Sequence, residues 1–301
     1  VNELPKYKRF ILSGMGGSHL GGDILKLLRP DLDMVIHSSY GLPKLSKQNF
    51  KKRLFIANSY SGNTEEVLSG LSDAEKAGLP ILIIATGGEL LAFAKNKNYP
   101  CIELPNTGIQ PRMSSGFGIR ALALAVGDKK LLKNSEKLSK KLKPLKIEAH
   151  GKNLAFRLKN KIPLVYSSAN NYSIAYNWKI KFNETAKSPA FCNVIPELNH
   201  NEMTGFDLSE ANRHLASPFC VILIKDSEDV AEINKRMLVL EKLYKDRGIG
   251  IEIVELSGKN KLDKVFSSLI LADWTALNLG ELYGNDTENV PMVEEFKKLM
   301  K

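Results

Sequence analysis

The chain has 301 residues, 43% of them hydrophobic and 25% charged, with a formal net charge of +10. That length suits two domains with separate cores, and the composition is that of an ordinary globular protein. No run of 18 apolar residues occurs and Val1–Arg9 lacks the apolar centre of a signal peptide, so neither a membrane span nor a membrane partner is expected. Three scattered cysteines, Cys101, Cys192 and Cys220, form no CxxC pair; this argues against a disulfide framework and a zinc site and for a reducing cytoplasm.

Along the chain, Arg9–Ser13 reads as a short apolar strand running into glycines, followed by a helical pattern over Leu20–Leu28. Strands are expected at Met34–Ser38, Leu54–Ala57, Pro80–Thr86 and Cys101–Leu104, with helices at Thr64–Ala77, Glu89–Lys97 and Ser114–Ala125. From Lys129 to Lys161, lysines recur among leucines at helical spacing with a single Arg and a single Phe. Nucleic-acid patches interleave Arg and aromatics, so this stretch reads as a solvated amphipathic helix pair and no nucleic-acid partner is expected. Strand Leu164–Ser167, helix Tyr172–Glu184, strand Phe219–Ile224, helix Val230–Asp246, strand Ile251–Val254 and helix Lys261–Leu279 then repeat the alternation. The fold class is therefore α/β with parallel sheets, in two domains spanning 1–144 and 145–301.

Parallel α/β sheets bind ligands beyond the carboxyl ends of their strands. Two loops here take that position: Gly14-Met15-Gly16-Gly17-Ser18-His19, after the first strand, and Ser59-Tyr60-Ser61-Gly62-Asn63-Thr64, after Leu54–Ala57. The second precedes a helix that Asn63 is placed to cap, with Glu66 at the capping-box position. Free N–H groups at a helix start, together with the hydroxyls of Ser18, Ser59, Ser61 and Thr64, suit a phosphate monoester. Serines and threonines also serve as plain turn residues, but the density of this cluster favours a ligand. A Walker A loop is excluded because neither loop ends in Gly-Lys-Ser/Thr. The dinucleotide fingerprint fails at His19, where its third glycine belongs, and at Ile36-His37-Ser38-Ser39, which lacks the ribose-binding acid.

In order along the chain come Gly14-Met-Gly-Gly-Ser18 with Gly21-Gly22-Asp23, Asn58-Ser-Tyr-Ser-Gly-Asn-Thr-Glu65, Gln110-Pro-Arg112, Asn183-Glu184 and Pro196-Glu-Leu-Asn-His200-Asn-Glu202. This combination resembles the bifunctional phosphoglucose/phosphomannose isomerases, within the sugar isomerase (SIS) superfamily, and covers nearly the whole chain. His19, Leu20 and Met113-Ser114-Ser115 are less typical of that family. The resemblance implies two SIS-type, flavodoxin-like or Rossmann-like three-layer domains, a sugar phosphate substrate, no cofactor and no metal. It also implies a homodimer in which His200 reaches the neighbouring subunit's site.

Aldose–ketose isomerisation opens a ring, moves a proton between C2 and C1, and stabilises an enediolate. One carboxylate that takes and returns the proton suits this, and the resemblance assigns that role to Glu184. It assigns ring opening to His200, whose imidazole can shuttle a proton, and places Lys297, or Lys298 one residue on, near the ring oxygen. Arg112 carries a fixed charge suited to the enediolate oxygens, and Pro111 before it limits its backbone freedom. Phosphate binding falls to Gly16, Gly17, Ser18, Ser59, Ser61 and Thr64. Thr287 is the counterpart of a small residue leaving room beside C2–C3, which lets the enediol rotate and give the mannose epimer. Glu202 is a rival acid or an orienting group for His200, and His19 is placed to touch substrate. The alternatives are a non-catalytic phosphosugar sensor, for which no helix-turn-helix is evident, or another SIS phosphosugar isomerase.

Overall fold

The computed structural model describes residues 7–50 and 52–300; most of the N-terminal stretch read above for a signal peptide, together with Lys51 and Lys301, lies outside them. The chain divides between Lys140 and Lys141 into two compact units. In the first unit the elements are β1 (Arg9–Ser13), α1 (Gly17–Leu28), β2 (Asp33–His37), α2 (Lys47–Phe50), β3 (Arg53–Asn58), α3 (Glu65–Lys76), β4 (Ile81–Ala85), α4 (Gly88–Lys97), β5 (Cys101–Glu103), α5 (Ser115–Ala125) and α6 (Lys129–Lys141). All strands pair in parallel in the order β2-β1-β3-β4-β5, the flavodoxin-like order.

The central strands read as unbroken apolar runs because helices cover both faces: β3 and β4 are buried at every position. Side chains alternate across the pleat. Ile11, Phe55, Ala57 and Ile83 pack with Val67 and Leu71 of α3 and Leu90 and Leu91 of α4. Leu12, one position on from Ile11, meets Gly22 of α1, where a Cβ would sit 2.2 Å from its Cδ2. Helix α5 joins α1 on that second face, Gly21 being 3.1–3.3 Å short of the Gly118–Ile119 backbone if it carried a Cβ. Glycines at 21 and 22 thus let α1 seat against a helix and the sheet at once.

The second unit runs α7 (Leu145–Arg157), β6 (Ile162–Ser168), α8 (Tyr172–Lys181), β7 (Phe191–Ile195), β8 (Phe219–Lys225), α9 (Ala231–Asp246), β9 (Gly250–Glu255), α10 (Lys261–Leu282) and α11 (Pro291–Leu299). Its parallel sheet has the order β7-β6-β8-β9. Leu164 and Tyr166 of β6 and Val221 and Leu223 of β8 pack with Met237, Leu240 and Tyr244 of α9 and with Leu198 and Phe206. Helices α7, α8 and α10 take the other face, where the fully buried Trp178 donates to Ser268 Oγ at 2.9 Å.

Two expectations change. A strand, β7, occupies Phe191–Ile195, where the sequence reading has none. It is an edge strand with Phe191 exposed and Cys192, Asn193 and Val194 half-buried, so no apolar alternation marks it. The helix expected through Glu184 ends as α-helix at Lys181 and continues as a π-turn over Phe182–Ala186, closed by Lys187 at φ 56°.

Candidate active site

In the first unit the two hydroxyl-bearing loops are tied to one another. Ser18 Oγ accepts from the Tyr60 amide at 2.9 Å, and Asn58 Nδ2 donates to the Ser18 carbonyl at 2.6 Å. Within the second loop the Ser59 and Thr64 hydroxyls are paired at 2.7 Å, the Gly62 amide donates to Ser59 Oγ at 3.1 Å, and the Asn63 amide donates to Ser61 Oγ at 3.3 Å. Ser59 is fully buried and Ser61 is exposed, so the row of hydroxyls leads from the interior to the surface.

The expected cap is corrected. Thr64, not Asn63, is the N-cap of α3, and no side chain caps that helix. Asn63 Oδ1 instead accepts from the Glu89 amide at 2.9 Å, at the start of α4. The exchange follows from the left-handed φ of 75° at Gly62, which brings the loop so close to the next one that a Cβ there would lie 1.9 Å from the Gly87 carbonyl oxygen. The first turn of α3 keeps its amides free of side-chain caps, the condition for receiving an anion.

Gly16, at φ 49°, is the N-cap of α1. A Cβ on Gly17 would sit 2.6 Å from both the carbonyl carbon and oxygen of Pro111, so the glycine is what lets the 3-10 turn Pro111–Met113 close onto this loop. Arg112, in that turn, is 2% exposed. Gly16, Gly17, Ser18, Ser59, Ser61, Thr64 and Arg112 are thereby gathered at the carboxyl end of the first sheet. His19 bonds through Nδ1 to Asp23 Oδ2 at 2.7 Å, one helical turn along α1.

In the second unit Glu184 is half-buried within the π-turn, and the Lys187 ammonium donates to its backbone carbonyl at 2.5 Å. Thr287 belongs to the same neighbourhood. A Cβ on Gly280 would lie 2.6 Å from the Thr287 methyl and 2.9 Å from the Thr185 carbonyl oxygen. Asn285 Nδ2 also donates to the Ala186 carbonyl at 3.0 Å. A missing side chain at Gly280 thus seats both Thr287 and the turn bearing Glu184.

His200 and Lys297 lie on other elements. Glu184 precedes β7 and His200 follows it, and the five residues of that strand span about 16 Å. His200 ends the 3-10 turn Glu197–His200 and is exposed. Asn199 and Met203, either side of it, line an open cleft of about 410 Å³ against Arg236, Val239 and Leu243 of α9. Lys297 lies on α11, which buries none of its residues, and pairs with Glu294 at 2.7 Å. Glu202 does not bond to His200: its carboxylate accepts from the Tyr166 hydroxyl and from Asn193 Nδ2. Sequence reasoning missed Tyr166 and Asn193 because neither lies in a recognisable motif; alternation along β6 would have put Tyr166 on a buried face but not shown its partner.

A family profile described as "Bacterial phospho-glucose isomerase C-terminal SIS domain" matches residues 147–300. A curated relative from Caldicellulosiruptor bescii, named bifunctional phosphoglucose/phosphomannose isomerase, is 33% identical over 96% of this chain and 88% of its own length. Another, from Sulfolobus acidocaldarius, named D-glucosamine-6-phosphate 4-epimerase, is 29% identical over 77% of this chain and 72% of its own. Among solved structures, a hypothetical protein of Thermus thermophilus superposes with a TM-score of 0.74 at 20% identity, covering 98% of this chain and 83% of that one, a likeness of fold. The chain belongs to the bifunctional phosphoglucose/phosphomannose isomerase family.

Proposed function

We propose that this chain interconverts glucose 6-phosphate, mannose 6-phosphate and fructose 6-phosphate by ring opening and proton transfer through a cis-enediol, with no metal required. The observation that carries the reading is the hydroxyl row Ser18, Ser59, Ser61 and Thr64, bound loop to loop, beneath an uncapped helix start. Such a row supplies neutral donors without a triphosphate-gripping lysine, which suits a monoester. In this reading Ser18, Ser59, Ser61, Thr64 and the Gly16–Gly17 backbone hold the phosphate, and Arg112 stabilises the enediolate.

Glu184 takes the C2 proton and returns it to C1. Thr287, whose methyl packs on Gly280, borders the room in which the enediol turns about C2–C3; reprotonation of the other face then gives the mannose epimer. His200 opens the ring and Lys297 assists at the ring oxygen. In this reading the imidazole serving a given Glu184 comes from a second copy, as a homodimer would supply it.

Purified protein treated with chelator should convert both glucose 6-phosphate and mannose 6-phosphate to fructose 6-phosphate, read by a coupled assay. Inactivity on both would sink the reading. A second reading, sugar-phosphate epimerisation, is favoured by the relative named as an epimerase; turnover of glucosamine 6-phosphate in place of the two hexose phosphates would establish it.

A further inference from the structure

Tyr166 and Asn193 give the Glu202 carboxylate a way to orient His200 without touching it. Tyr166 of β6 and Asn193 of β7 are register partners in adjacent parallel strands, so their side chains stand side by side on one face of the sheet. Glu202 spans that pair, one oxygen accepting from the Tyr166 hydroxyl and the other from Asn193 Nδ2. Tyr166 is fully buried, and burial first, then its neighbours, holds its phenol protonated well above the usual range, so it remains a donor.

His200 sits two residues before this anchor. On its other side Leu198 is fully buried in the core against α9, and Phe206 follows at 9% exposure. Between Leu198 and Glu202 the chain crosses from one 3-10 turn to the next through Asn201, whose side chain accepts from the Glu202 amide at 2.5 Å and donates to Glu197 Oε1 at 2.8 Å. Short 3-10 turns hold poorly by themselves. A charged acceptor shared by two neutral donors is stronger than an ordinary hydrogen bond and fixes direction as well as distance.

We infer that Glu202 is a positioning residue: clamped on Tyr166 and Asn193, it sets the turn that aims His200. This rests on the reading of His200 as the ring-opening group. The test is a double-mutant cycle in the full-length protein. Glu202→Ala should lower kcat for glucose 6-phosphate by about 10- to 100-fold, with KM changed far less. In a His200→Ala background the same change should cost less than about 2-fold, because its effect passes through the imidazole. Tyr166→Phe, which keeps the shape of the core, should show the same dependence on His200 with a smaller loss, so the cycle can be read even where Glu202→Ala folds poorly. The pH profile of kcat/KM should change on Glu202→Ala in the parent protein but not in the His200→Ala background, a dependence that a merely structural defect would not show. If His200→Ala is impaired but Glu202→Ala and Tyr166→Phe remain additive with it, the inference is overturned and the isomerase reading stands. A fully active His200→Ala overturns the His200 assignment and the inference together.

Discussion

The two sheets present the same place to solvent and fill it oppositely. In the first unit, the loops after β1 and β3 carry glycines and neutral hydroxyls, with Arg112 closed onto them by Gly17. In the second, the topologically matching loops follow β6 and β8, and the latter brings Asp226, Glu228 and Asp229. Asp226 is fully buried and is held at 2.7 Å by each of Lys261 and Lys264 from the first turn of α10. Asp229 accepts from Ser168 Oγ at 2.8 Å, and Asn171 joins both aspartates. Where the first sheet leaves donors for an incoming anion, the second has built the anion in. Topology therefore selects where a parallel sheet can bind, and loop charge decides whether it does.

If phosphate holding belongs to the first unit and proton transfer to the second, variants should divide accordingly. Glu184→Gln should reduce isomerisation and C2 proton exchange by roughly 10²- to 10⁴-fold while leaving phosphate-dependent binding. Retained exchange, followed by deuterium loss, would break the division. Ser61→Asp makes the exposed end of the first loop resemble the second unit's. Repulsion at about 4 Å should raise KM by roughly 10²- to 10³-fold with kcat little changed, and added salt should soften the effect.

In the second unit, Lys264→Met leaves the buried Asp226 with Lys261 as its remaining ammonium partner and should cost about 3 kcal/mol in urea denaturation. The pH dependence sharpens this. Burial pushes the Asp226 carboxyl up, but the bonds from Lys261 and Lys264 outweigh it and hold it well below the usual range. A carboxyl depressed on folding adds stability above its unfolded value and loses it as pH falls, so the contribution fades from about pH 4 downward. Asp226→Asn should flatten that loss. Asp229, raised by burial and then by the charge of Asp226, acts in the opposite sense and stabilises less as pH rises. The smallest effect is expected at Asn63→Ala, about 1 kcal/mol of stability from the lost cap on α4; a large rise in KM instead would show that Asn63 meets substrate.

The strand–helix alternation was legible because buried parallel strands announce themselves as apolar runs: β1 falls on its expected residues, and β3 and β4 within one or two of theirs. The hydroxyl loops were legible for the same reason, since they sit where those runs stop. What the sequence hid was contact at a distance. Asn63 looked like the cap of the helix following it, and only the close approach at Gly62 redirects it to α4. The clamp on Glu202 depends on the register of β6 with β7, an edge strand with no periodic signal. The nearness of Thr287 to the Glu184 turn depends on a glycine within α10, which propensity alone would count as a defect.

The π-turn at Phe182–Ala186 has a consequence for how this enzyme's gene tolerates change. A π-turn holds one residue more than the α-helical turn it replaces. Loss of a single codon ahead of Glu184 would restore the regular spiral and swing its carboxylate by about 100°. A change in the length of this segment would re-aim Glu184, the residue proposed above as the base. The feature to compare across relatives at this position is therefore the number of residues, ahead of their identity.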